Sequence, residues 1–80
     1  MKTVTVSAQE LCIGDEFFSE NENVWFKVLK TESSAHLLDI LCEVVSGNPD
    51  EDYLVGDSYW INFIPEEQIL TRVQDTLQDG

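Results

Sequence analysis

Apolar and polar positions alternate along several stretches of this chain, most clearly over Leu37 to Val45, LLDILCEVV. The even positions Leu38, Ile40, Cys42 and Val44 are apolar and Asp39 and Glu43 share the opposite face, the pattern of a strand with one buried side. A helix over residues 35–46 is the alternative. His36, Asp39, Glu43 and Ser46 recur at three- and four-residue steps, with Ser34 as a possible N-cap and Gly47 as a possible C-terminal stop. The β-branched Ile40, Val44 and Val45 and the strand-like flanks favour the strand.

Those flanks repeat the alternation. Lys2 to Val6 reads as a first strand with Val4 and Val6 inward, and Ser7 with Glu10 has the spacing of a capping box, which predicts one helical or 3₁₀ turn over Ala8 to Leu11. Gly14 and Asp15 make a tight turn before a second strand, Glu16 to Ser19, with Phe17 or Phe18 buried and Glu16 in solvent. The polar ENEN of Glu20 to Asn23 turns the chain into Val24 to Thr31, where Val24, Phe26 and Val28 face the core and Trp25 is partly exposed. Residues Glu32 to His36 read as a loop, and Ser46 to Asp52 as the most polar one. Tyr53 to Val55 is a short extended piece. Ser58 to Phe63 is a strand alternating Tyr59, Ile61 and Phe63 with Ser58, Trp60 and Asn62. Pro65 to Gln68 predicts a 3₁₀ turn, Ile69 to Val73 a last strand, and residues 74–80 a frayed tail.

Five or six short strands with polar turns, in an 80-residue chain, predict a mostly β fold: one small antiparallel barrel over residues 1–73 with one or two single-turn helices. The apolar fraction of 42% is too high for a disordered acidic tail, so a packed interior is expected. No basic amino-terminal region precedes an apolar stretch and no run approaches the roughly 18 residues of a membrane helix, so a cytoplasmic protein is the expectation.

Charge changes the picture most. Sixteen Asp and Glu against four Lys and Arg give a formal net charge of -12, which opposes direct binding to nucleic acid or to an anionic membrane and makes a basic protein surface the natural complement. Cys12 and Cys42 sit among apolar neighbours and read as two buried thiols. Neither has a Cys or His at metal-ligand spacing, and Asp50 and Asp52 resemble the start of a calcium loop whose other ligands are missing, so no metal or cofactor is expected. The lone His36 has no nucleophile beside it in any recognisable motif, and carboxylate pairs are too common in so acidic a chain to signal catalysis.

Glu10, Leu11, Gly14, Asp15 and Phe17 form an E-L-x-x-G-D-x-F element, followed by a W-F-x-V strand at Trp25 to Val28 and a one-turn helix before the last strand. In that order they resemble the Src-homology-3-like small barrels over residues 7–73, including short barrel proteins encoded by bacteriophages. The tyrosine-rich groove motif of the proline-peptide-binding members is absent, so their ligand class does not follow from the resemblance.

The expected function is a non-enzymatic acidic binding protein, in its sharpest form a phage-encoded nucleic-acid mimic acting in the host cytoplasm. It would cover a basic surface of a host nucleic-acid-binding protein. Evenly spread acids on roughly 4,900 Å² would be about one per 300 Å², against roughly one per 110 Å² on duplex DNA, so mimicry needs the acids gathered on one side. The candidate contacts are Asp15, Glu16, Glu20 and Glu22 in one loop cluster, Asp50, Glu51, Asp52 and Asp57 in another, and Glu66 and Glu67 near the end. Trp25, Trp60 and Tyr53 are the apolar anchors. The alternative is a small structural or adaptor subunit whose acidity serves solubility. The sequence leaves oligomeric state open.

Overall fold

Six strands carry the fold in a computed structural model that describes residues 2–46 and 54–73. They are β1 (Lys2–Ser7), β2 (Glu16–Ser19), β3 (Val24–Ser34), β4 (Leu37–Ser46), β5 (Ser58–Phe63) and β6 (Gln68–Val73), with a single 3₁₀ turn at Ala8–Glu10. All pairings are antiparallel in one sheet of order β1-β6-β2-β3-β4-β5. The mostly β class follows from the sequence as expected. The pairing order is linear, with β1 and β5 at its two edges, and the described residues contain no β1–β5 ladder. The 3₁₀ turn bridges part of that distance, because the Ala8 and Gln9 amides donate to the Glu67 and Pro65 carbonyls at 2.8 and 3.0 Å.

β4 is the strand its alternation predicts, not a helix: Leu38, Ile40, Cys42 and Val44 are all buried. Both neighbouring strands pair with it, which a helix could not allow. Bulges between Trp25 and Phe26 and between Val28 and Lys30 bend the long β3 as it follows β4. The core fills the resulting concavity. Phe17 lies 5.6 Å from Phe26 and 5.6 Å, edge-on, from Phe63, while Phe26 meets Tyr59 at 6.4 Å. Asn23 has φ 60 in the β2–β3 turn, and Gly14 and Gly56 have φ 97 and 99, so each turn uses a residue that tolerates left-handed backbone. The capping contact is present, with the Ser7 amide donating to Glu10 Oε1 at 3.0 Å.

Several local expectations are corrected. β3 runs on to Ser34, shrinking the expected loop at residues 32–36 to a turn at Ala35 and His36. Residues 64–67 form a β-turn closed by the Glu67 amide on the Ile64 carbonyl at 2.9 Å, in place of a 3₁₀ turn. Val55, expected as the end of a short extended piece, instead joins Gly56 in a turn. Val4 is 41% exposed, because β1 is an edge strand with a partner on one side only. Residues 47–53 and the tail 74–80 lie outside the described residues.

The two thiols separate. Cys12 is exposed, contrary to its apolar neighbourhood, because it sits in the turn before β2, where its amide donates to Asp15 Oδ2 at 2.9 Å. Cys42 is buried, with Sγ 3.4 Å from the Tyr59 carbonyl oxygen, and burial together with the charge of Glu22 pushes its thiol up to about 12. At pH 8, iodoacetamide is expected to alkylate Cys12 alone in the folded protein and both thiols in urea, as counted by mass. The raised value favours the fold fully below about 9.0, the thiol's ordinary value, and that contribution is lost as pH climbs towards about 12, since the unfolded chain ionises first.

Candidate functional site

The four cations occupy β1, β3 and β6. Arg72 and Lys27 lie on the outer face of the sheet, because Thr71, Phe26 and Val28 beside them face inward and are buried. Arg72 Nε donates to Glu16 Oε1 at 2.6 Å, with both side chains largely buried, so Glu16 is not in solvent as expected from sequence. The Arg72 guanidinium also lies 4.2 Å from the Trp25 ring centroid, and Phe18 packs 5.3 Å from Trp25. Trp25 and Glu16 are therefore parts of an internal stack on that face. Lys30 pairs with Glu32 at 3.1 Å.

The fold builds a groove of about 430 Å³ from three separate segments: the end of β2 with its turn, the end of β5, and the start of β6. Phe17, Phe18, Ile61, Phe63, Ile69 and Leu70 supply its apolar lining, and Ser19, Asn21, Asn62 and Gln68 its neutral polar part. Its charged groups are Glu20, Glu22 and Glu67; no Lys, Arg or His lines it. Ser19 Oγ donates to Glu22 Oε1, and the Ile64 amide approaches Glu67 Oε1 at 3.4 Å. These contacts hold two of the three carboxylates at the rim. Glu20 makes no hydrogen bond or ion pair among the described residues.

The remaining candidates are dispersed. Asp15 accepts from the Cys12 amide and its backbone joins the turn before β2 to Val28. Glu66 is exposed in the β5–β6 turn next to Glu67, and Asp57 precedes β5, where the Tyr59 hydroxyl reaches its Oδ2 at 3.5 Å. Trp60 stands 51% exposed on the outer face of β5, opposite Leu41. Asp50, Glu51, Asp52 and Tyr53 lie outside the described residues. Among the described residues no three His, Cys, Asp or Glu side chains come together as a metal site, and no helix is long and apolar enough to cross a membrane.

Sequence reasoning missed the groove's apolar lining as a site. The alternation of β2 and β5 marks Phe17 and Phe63 as core, but nothing local reveals that segments some fifty residues apart meet around an opening. Fold and site together define a small antiparallel β domain with an acidic groove of mixed apolar and polar lining. Compared with protein-family models, curated proteins and solved structures, the chain matches none.

Proposed function

We propose that this chain is a non-enzymatic acidic binding protein that takes up a Lys- and Arg-bearing segment of another protein in the groove between β5, β6 and the end of β2. One observation carries the reading: three carboxylates and no base line a groove that also holds apolar and neutral polar side chains, while two of the four cations, Lys30 and Arg72, are engaged in ion pairs. A lysine or arginine side chain suits such a place, with its stem on the apolar lining and its charge at the rim. Clustered Lys and Arg are the footprint of nucleic-acid-binding domains, so an inhibitor occupying that footprint, encoded by a phage and acting in its host's cytoplasm, is the sharpest form of the proposal. Sixteen acids on 5101 Å² average about one per 320 Å², roughly a third of the density on duplex DNA. That average favours capture of a short basic segment over imitation of a long phosphate track.

The test is fluorescence anisotropy with a labelled Lys- and Arg-rich peptide at about 0.05 M and about 0.5 M salt, where the screening length falls from roughly 14 to 4 Å. Binding should weaken steeply with salt. Changing Glu20, Glu22 and Glu67 together to Gln should cost about 10- to 100-fold in affinity, from three contacts of roughly 0.5–1 kcal/mol each. Changing Glu10, Glu32 and Glu43 to Gln alters net charge equally outside the groove. Equal losses from the two triple variants would remove the groove from the reading.

A structural or adaptor subunit is the second reading, favoured by Trp60 at 51% exposed and Leu37 at 44% on the outer face of β5 and β4. Its interface would be nearly indifferent to salt.

A further inference from the structure

β5 has one side with no strand on it among the described residues. It pairs with β4 along its whole length, from Ser58 opposite Glu43 to Phe63 opposite Leu38, and stands at the end of the sheet order. The phase of that ladder is fixed by position 44, whose amide donates to the Asp57 carbonyl at 2.8 Å while its carbonyl accepts from the Gly56 amide at 2.9 Å. Stepping by two, Cys42, Ile40 and Leu38 direct their backbone groups at Tyr59, Ile61 and Phe63. Ser58, Trp60 and Asn62 therefore turn their N–H and C=O groups away from β4.

That free side borders the acidic groove. Ile61, Asn62 and Phe63 line it and no residue of β4 does, so it lies beyond β5 on the side away from its partner strand. Edge strands are ordinarily guarded by lysine, proline or a bulge within the run. Residues 58–63, SYWINF, contain no charge and no proline, and their pairing with β4 is regular.

We infer that the free side of β5 receives an extended basic segment of a partner protein as an added strand, with alternate side chains on the apolar lining and Lys or Arg at Glu20, Glu22 and Glu67. This rests on the acidic-binding reading above and adds to it the backbone recognition that sets the geometry. An added strand presents its side chains to opposite faces in turn, which suits a groove lined by both apolar and acidic side chains. Charge selects the occupant. A second copy brings another net charge of -12, and this chain's own residues 47–53 and 74–80 bring five acids and no base, so each would meet the groove carboxylates with like charge.

The experiment uses the full chain and three synthetic peptides of alternating lysine and valine: unmodified, N-methylated at every lysine, and N-methylated at every valine. An added strand shows β5 only every second amide, so one methylated peptide should bind at least about tenfold more weakly and the other close to the unmodified one. Amide exchange at Trp60 and Asn62 should slow at least about tenfold with the unmodified peptide bound. Salt-sensitive binding with equal effects of the two methylation patterns, or without protection at Trp60 and Asn62, overturns strand addition and leaves the acidic-binding reading standing. Absence of binding by the unmodified peptide at low salt overturns both.

Discussion

Phe17→Ala should lower the unfolding free energy by about 3–5 kcal/mol, the cost typical of deleting a fully buried aromatic ring. Phe17 is 1% exposed and touches Phe26 of β3 and Phe63 of β5, so its ring joins strands that are not neighbours in the sheet. β2 is only four residues long yet is bonded to β3 on one side and β6 on the other, leaving little else to hold it in place. Each aromatic pair adds roughly 0.5–1.5 kcal/mol beyond the area it buries. A domain of this length has on the order of 4–12 kcal/mol of total stability, so the variant should lose a large part of it. Urea unfolding followed by Trp fluorescence reads the change. Phe18→Ala, at the half-buried neighbouring position, should cost less, and Phe17→Leu should recover more than half of the loss. Equal midpoints for Phe17→Ala and Phe18→Ala would mean that the ring does not join the two halves of the core.

The fold was legible where a residue's fate depends on its sequence neighbours. Alternation in β4 and β5 marks Leu38, Ile40, Cys42, Val44 and Phe63 as inward, and all five are buried. Ser7 and Glu10 announce their turn three residues apart, and Asn23 accepts the left-handed backbone expected of the ENEN turn. Legibility failed where the deciding partner is distant. Glu16 looks like a solvated strand end until Arg72, 56 residues later, is brought beside it. Val4 follows the inward pattern yet is half-exposed, because which strands end as edges is a property of the whole sheet order. Cys12 and Cys42 have similar apolar neighbours and opposite exposure, one in a turn and one in a central strand.

The groove is the extreme case. Composition announces an excess of acid but not its placement, since Glu16, Glu20 and Glu22 lie within seven residues and end in different settings. Glu16 points to the outer face and its arginine, whereas Glu20 and Glu22 line the concavity with Glu67. The charge that looked like one loop cluster is split by the end of β2 at Ser19: Glu16 is held in the strand beside Arg72, whereas Glu20 and Glu22 belong to the turn that follows. What the acids in the groove can bind therefore depends on where Arg72 leads Glu16 as much as on their own number.

Arg72→Ala tests that separation and should destabilise the domain by about 2–4 kcal/mol. The guanidinium serves two neighbours at once, at 2.6 Å from Glu16 Oε1 and 4.2 Å from the Trp25 ring centroid, with the Arg72 and Glu16 side chains only 17% and 13% exposed. Removing one member of a buried ion pair typically costs 3–5 kcal/mol because the other charge stays behind, roughly, and a stacked cation adds about 0.5–2 kcal/mol. Lys27, directly opposite Glu16 in the ladder, moderates the loss. Arg72→Lys keeps the charge but not the planar fork or the stack, and should cost about 1–2 kcal/mol. Glu16→Leu with Arg72→Met replaces both charges by apolar groups of similar size and should fall within about 1 kcal/mol of the parent, the behaviour of buried pairs whose desolvation offsets their attraction. Urea midpoints of Glu16→Leu alone, Arg72→Met alone and the double variant form the cycle, and Trp25 emission should shift only where the guanidinium is lost. A double variant as unstable as Arg72→Ala would show that the pair contributes net stability to β2–β6, where the ladder spans just two residue pairs, Glu16 with Arg72 and Phe17 with Thr71.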